Sequence, residues 1–453
     1  MRNLALFRNS SWLCAGVLTL TASICLFAQE PVPGNAAPSE ASDVQAATPL
    51  KLTLKDALER AKVINPSLAL AQTNAKVANE TSVQARAANL PTVSTIAEYL
   101  YTQGNGYGFQ RYIANDGVHE YIGQVVAQEL LSPVLLARYR RSQVDQAITR
   151  DQLAISQRGL IVTVVQTYAM FVGSGRKYKA LEELTDSAQQ FLKTTKELEA
   201  GGEVARADVV KASVQYSDNE VALQEAQLAH ERDRLALALL VFKDVNQKFE
   251  AVDDPGLTML LPPVEQVQAE AIQHNPQLTL AFDNERAASS DITTARAGYL
   301  PALTFDYFYG IDANQVATRT GPYRNLGYSA IGQVNWQIWN WGSTHSQVKV
   351  AEARKQLAIN DRKYAEKKLK ADLEQFYNEA KVTQTEMTMQ QTAARDAEES
   401  LRLTLLQYKA GEATALEVVS AQSALSTEQN ALEDTKVRYA TALAGLATLT
   451  GTL

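Results

Sequence analysis

The chain is written twice. Asn65-Pro66 returns as Asn275-Pro276, Ala85-Arg86-Ala87 as Ala295-Arg296-Ala297, and Leu90-Pro91 as Leu300-Pro301, each pair 210 residues apart. Further on, Gly123-Gln124-Val125 returns as Gly332-Gln333-Val334, Gly202-Glu203 as Gly411-Glu412, and Asp208-Val209-Val210 as Glu417-Val418-Val419, at an offset of 209. One such match arises by chance, but an ordered series at nearly constant offset means two copies of one unit. A length of 453 residues would allow two or three unrelated domains, and the repeat replaces that reading.

Each copy opens with a short predicted helix, Leu54 to Val63 and Val264 to His274, closed by Asn-Pro because the residue before proline is pushed out of the helical region. A second helix runs from each proline to Asn89 or Tyr299, where Leu-Pro stops it. The period then changes to two. Leu303, Phe305, Tyr307, Tyr309 and Ile311 alternate with Thr304, Asp306, Phe308 and Gly310, and Val93, Thr95, Ala97, Tyr99 and Tyr101 keep a weaker version. After the Gly- and Asn-rich loops 104–117 and 312–325, Tyr328, Ala330, Gly332, Val334, Trp336 and Ile338 alternate in the same way. This predicts β-hairpins over about 92–130 and 302–340.

Long proline-free stretches follow, about 134–199 and 343–409, rich in Ala, Gln, Glu, Lys and Leu with apolar residues at helical spacing such as Leu401, Leu405 and Tyr408. At a rise of 1.5 Å per residue each is a rod of roughly 100 Å, suited to a coiled coil. Gly173 and Gly175 are placed to dent the first rod. Each rod ends at glycine, Gly201-Gly202 and Gly411, and a partner helix returns, giving helical hairpins 134–242 and 343–450. The units are therefore 52–243 and 264–451, joined by a linker 244–263.

Before them, Arg2 and Arg8 lead into the apolar run Trp12 to Ala28, a secretory signal peptide over 1–28. A Pro- and Ala-rich leader, 29–51, follows. Both cysteines, Cys14 and Cys25, fall within the signal, so the mature chain is expected to have no disulfide; Ile24 is a poor neighbour for lipidation of Cys25. Beyond the signal no run of 18 apolar residues occurs, so an exported chain that spans a membrane must use its strands. About ten residues per strand suits a bilayer, as does the gathering of Trp336, Trp339 and Trp341 at one strand end. Four strands cannot close a barrel, so spanning requires copies: two would make a narrow, filled barrel and three a conducting one.

The signal, the duplicated Asn-Pro helix start, the Ala-Arg-Ala-x-x-Leu-Pro run and the segment from Tyr408 through Gly411, Thr414 and Glu417 to Val418 together resemble the TolC-like outer membrane efflux proteins. The resemblance covers about Leu52 to Gly451. It implies a mainly α fold with a membrane β-barrel portion: helical coiled-coil hairpin plus β-hairpin, duplicated, trimerising into a 12-stranded barrel continued by an α-helical barrel. It further implies an outer-membrane exit duct of a Gram-negative-type bacterium, serving tripartite efflux or type I secretion. The implied partners are a periplasmic adaptor (membrane fusion protein) and an inner-membrane pump of RND, ABC or MFS type. The runner-up is a non-conducting exported coiled-coil structural protein.

For the tips, the resemblance implies adaptor contact at Gly201, Gly202, Ala205, Gly411 and Thr414, and an aperture gate from Asp208, Tyr408 and Glu417, including a Tyr408 to Asp208 hydrogen bond. In the first copy Glu199 stands where the motif has its aromatic. Thr414 and Glu417 also have the spacing of a capping box, a purely structural role. Phe305, Tyr307, Tyr309, Val334 and Trp336 are expected to face lipid. His119, His230, His274 and His345 are scattered, Gly173-Ser174-Gly175 lacks the spacing of a nucleophile elbow, and no metal or cofactor motif occurs, so no enzyme is expected. The net charge of −7 argues against a nucleic-acid partner.

Overall fold

The computed structural model describes residues 50–102, 119–252, 261–313 and 326–451, which belong to one compact unit. The signal peptide with Cys25, the leader up to residue 49, the loop 104–117 and residues 314–325 of the second loop lie outside them. In chain order the elements are β1 (Leu50–Leu52), α1 (Leu54–Ile64), α2 (Pro66–Ala87), β2 (Thr92–Tyr101), β3 (His119–Leu131), α3 (Pro133–Ala200) and α4 (Arg206–Val241). The same order of kinds follows in β4 (Phe249–Ala251), α5 (Val264–His274), α6 (Pro276–Ala297), β5 (Ala302–Ala313), β6 (Leu326–Asn335), α7 (Ser343–Lys409) and α8 (Ala415–Thr450).

The Asn-Pro steps do more than end a helix. Asn65 closes α1 and its side chain accepts the Leu68 amide at 3.0 Å to start α2, with Pro66 in the first helical position; Asn275 does the same for Leu278 at 3.0 Å. One residue thus satisfies orphan groups of two helix ends.

α3 and α7 run unbroken for 68 and 67 residues. The expected dent at Gly173 and Gly175 is absent, because both glycines serve close packing: a Cβ on Gly173 would meet Val437 of α8 at 3.2 Å, and one on Gly175 the His230 ring of α4 at 3.1 Å. Buried residues follow two stripes along this part of α3. Leu160, Val164, Tyr168 and Phe171 join α1 and α4 residues such as Ala57, Leu237 and Val241, while Ile161 and Val165 meet Ala444 of α8.

Two short strands sit where the leader ends and the linker was expected. β1 and β4 pair in parallel, Leu50 opposite Phe249 and Leu52 opposite Ala251, and three residues each are too few to carry a visible period. The buried Tyr168 hydroxyl fastens them to α3, lying 3.1 Å from the Leu52 carbonyl and 2.5 Å from that of Val252.

The remaining strands form a single antiparallel sheet in the order β2-β3-β5-β6, so the two hairpins join through β3 and β5. The helices take the same lateral order. α2 packs on α3, α3 on α6 and α6 on α7 beside the sheet, and further away α4 packs on α3, α3 on α8 and α8 on α7. Each strand continues the helix in its own file: α2 leads into β2, β3 into α3, α6 into β5 and β6 into α7.

Candidate functional site

Two regions concentrate the residues singled out by sequence: the sheet and the turns at the far end of the helical hairpins. In the sheet, opposed residues share a face. Tyr309 lies opposite both Val125 and Tyr328, Tyr307 opposite Ala127 and Ala330, Phe305 opposite Gly332, and Leu303 opposite Val334. Val125 in turn lies opposite Thr95, and Tyr121 opposite Tyr99. One face is therefore mostly apolar and aromatic across all four strands, with Glu129 opposite Phe305 near its end, and Phe305, Tyr307, Tyr309 and Val334 are exposed on it by 45% to 65%. The other face is mixed, carrying Glu98, Gln124, Gln128, Asp306 and Gln333 together with Ile96, Ile122, Val126, Phe308 and Ile331.

Trp336 departs from the expectation. β6 ends at Asn335 opposite Ala302, where β5 begins, and among the described residues β6 has no second strand neighbour to hold it further. β3 reaches Leu131 because β5 pairs with it there. Trp336 lies just past the strand, exposed, with its indole N–H donating to the Tyr299 carbonyl at 3.0 Å. Trp339 and Trp341 follow, exposed and in edge contact.

At the other end both hairpin turns have the same backbone solution. Gly202 has φ +78° and Gly411 φ +76°, the left-handed conformation in which other residues are strained. The Glu203 amide donates to the Leu198 carbonyl and the Gly202 amide to that of Glu199; Glu412 and Gly411 repeat this with Gln407 and Tyr408. These paired bonds close each long helix. Gly201, by contrast, is ordinary helix-end backbone with φ −76°.

The returning helices start differently. Thr414 and Glu417 form a capping box: the Thr414 amide donates to the Glu417 carboxylate at 2.6 Å, and the Glu417 amide donates to the Thr414 hydroxyl at 3.4 Å. The Thr414 amide, then its hydroxyl, hold the Glu417 carboxyl below the usual carboxylate range. Ala205 in the first copy offers no acceptor, and an ion pair of Arg206 with Glu199 at 3.3 Å crosses that turn instead. Glu199 thus takes up its neighbour's charge in the place of an aromatic.

Tyr408 and Asp208 do not touch within the chain. The Tyr408 ring is buried against Phe191, edge to face at 4.9 Å, and its hydroxyl donates to Thr195 at 3.2 Å. Asp208 accepts from Lys211 at 3.1 Å. The reason is helical geometry: Tyr408 falls in the apolar stripe with Leu401 that packs α7 onto its neighbours, while Asp208 opens α4 at the surface. Thr195 and Phe191 carried no sequence signal beyond ordinary helical spacing. Gly202, Ala205, Gly411 and Thr414 are exposed at the turns.

The capping box makes an expected result. Thr414→Ala should cost about 1 kcal/mol in urea unfolding. A carboxyl with a lowered folded pKa adds stability above its ordinary pKa and loses it as pH falls through the lowered value, so the Thr414→Ala deficit should shrink in acid by the share that the Thr414 hydroxyl contributes to the Glu417 carboxylate, while the share from the Glu417 amide persists. An undiminished deficit under acid conditions would contradict the charged cap.

Among the described residues no group of three or more His, Cys, Asp or Glu is placed to hold a metal, and no helix is long and apolar enough to cross a membrane. The sequence profile of the outer membrane efflux proteins matches residues 267–452. The pyoverdine export outer membrane protein OpmQ of Pseudomonas aeruginosa is 24% identical over 314 residues, 68% of this chain; the match spans only 65% of OpmQ. Outer membrane protein TolC of Vibrio cholerae is 22% identical over 406 residues, 88% of this chain and 91% of that one. The crystal structure of the outer membrane protein VceC from Vibrio cholerae superposes with a TM-score of 0.78 at 19% identity, covering 88% of this chain and 96% of that one.

Proposed function

This chain is a TolC-like outer membrane efflux protein of the outer membrane, and we propose that three copies join edge to edge into a passive exit duct. A twelve-stranded barrel in the membrane would continue as a helical barrel into the periplasm. The observation that carries this reading is the common lateral order of strands and helices, in which β2 and β6 each have one strand neighbour among the described residues. An open sheet edge in lipid leaves amides and carbonyls without partners, and β6 of one copy against β2 of the next supplies them. Two copies would bring eight strands and a bore filled by side chains; three leave a channel. The shared element order of the two halves supports duplication as the origin of this arrangement.

The hairpin turns dock a periplasmic adaptor, and an inner-membrane pump supplies the energy that the duct lacks. Val210 and Leu416, 51% and 58% exposed beside the turns, support a covered surface there. The cargo is a small molecule or an exported polypeptide selected by the pump. Asp208, Tyr408 and Glu417 act on the aperture through helix starts and packing, with Glu417 also offering charge to the lumen.

Oligomer mass in detergent and single-channel conductance in a planar bilayer test the duct. A trimer with discrete conductance is expected. Glu417→Ala should alter cation preference where Thr414→Ala does not, if the carboxylate faces the lumen. A monomer without bilayer activity would overturn the duct and leave an exported coiled-coil protein.

A further inference from the structure

Where the helical wall meets the sheet, the last turns of α6 lie between the first turns of α3 and α7, and the three enclose a groove of about 620 Å³. Arg138 of α3, Asp291 and Thr294 of α6, and Ser343, Ser346 and Arg354 of α7 line it. The Asp291 carboxylate is already taken, accepting from Arg141 Nε at 2.8 Å. Arg138 and Arg354 have no carboxylate partner among the described residues, whereas nearby Arg296 is paired with Glu352 at 3.0 Å. The groove therefore holds two guanidinium groups without ion-pair partners against the one carboxylate of Asp291, whose arginine is shared with Asp145, in a chain of net charge −7.

Two further features add to this. α7 begins after Gly342, which has no side chain to cap the helix, and although the Ser343 amide donates to the Asn340 carbonyl, the start of the helix keeps its partial positive charge. Arg138 is five residues into α3. At 1.5 Å per residue it lies about 8 Å beyond the strand end, the depth of a headgroup layer outside the hydrocarbon core.

We propose that this groove binds the phosphate group of an anionic phospholipid, held by Arg138 and Arg354 with hydroxyls of Thr294, Ser343 and Ser346 as further donors. Paired guanidinium forks match phosphate oxygens better than point charges do. The groove is larger than inorganic phosphate needs and leaves space for the rest of a headgroup. The proposal rests on the membrane position of the sheet in the proposed duct but not on conduction, so a silent oligomer that retains the lipid upholds it, while a monomer without bilayer activity is a failure of the duct itself.

The test is lipid retention by the purified oligomer after detergent exchange, read by native mass spectrometry with phosphatidylglycerol against phosphatidylcholine. Wild type should retain phosphatidylglycerol about fivefold better, and the Arg138→Gln/Arg354→Gln double variant should lose that preference. Arg140→Gln, outside the groove, should keep it. Added inorganic phosphate that displaces phosphatidylglycerol would support a phosphate site open to the free anion; failure to displace it would support the lipid as the sole source. No phosphatidylglycerol preference in wild type overturns the proposal even if the double variant does not assemble. An intact double variant that retains the preference overturns it as well.

Discussion

Ser329→Pro and Ala330→Pro in β6 are each expected to reduce recovery of the membrane oligomer by about tenfold or more, since a barrel in lipid tolerates no unpaired backbone group. The two positions are adjacent, and along an antiparallel edge strand neighbouring residues point their amides in opposite directions. One amide faces β5 and the other faces away from the chain. Proline removes whichever it replaces. On a free edge the outward-facing position accepts proline with little harm, so one variant would behave as wild type. In a closed barrel both positions are inside a ladder, and the outward proline leaves a carbonyl of the next copy without its donor. Ser329→Ala and Ala330→Gly control for side-chain loss. Oligomer mass from detergent extracts measures the result, and normal assembly of either proline variant would rule out pairing through β6.

Much of this fold was legible because its signals are local. Asn65-Pro66 and Asn275-Pro276 marked helix boundaries, and the period of two in Leu303 to Ile311 marked β5. The glycines at 202 and 411 marked chain reversal. What was not legible depends on partners distant in sequence. The pairing of β3 with β5 leaves no period of its own, and it decides why β3 extends to Leu131 while β6 stops before Trp336. The three-residue strands β1 and β4 are too short to show alternation. At the tips, the Thr414 and Glu417 spacing is a local rule and appears as a capping box. Tyr408 was read from a motif, whereas its contacts with Phe191 and Thr195 are set by how α7 lies against α3. Gly173 and Gly175 misled for the same reason: a glycine in a helix signals a bend or a close neighbour, and only Val437 and His230 decide between them.

Gln422→Met is expected to stabilise the hairpin and lower the channel's open probability about tenfold or more, at 1 to 3 kcal/mol for each buried polar group left unmet. Gln422 lies in the apolar stripe of α8 with Ala415, Val418 and Leu425, fully buried, and neither its side-chain oxygen nor its nitrogen has a hydrogen-bond partner among the described residues. Both atoms are enclosed within a single chain, so a neighbouring copy or an adaptor reaches them only after the helices part. Water would then meet the amide, and the penalty held in the packed state would be released. On the proposed duct, Gln422 is therefore expected to ease separation of α8 from its neighbours near the turn as the tip opens. Methionine has a similar unbranched shape without the amide, fits the same space and removes that release. Urea unfolding and open dwell times in a bilayer, compared between wild type and Gln422→Met, measure the two halves of the effect. A variant that is less stable, or equally stable with unchanged dwell times, would mean that the amide is satisfied in the packed wall and plays no part in opening.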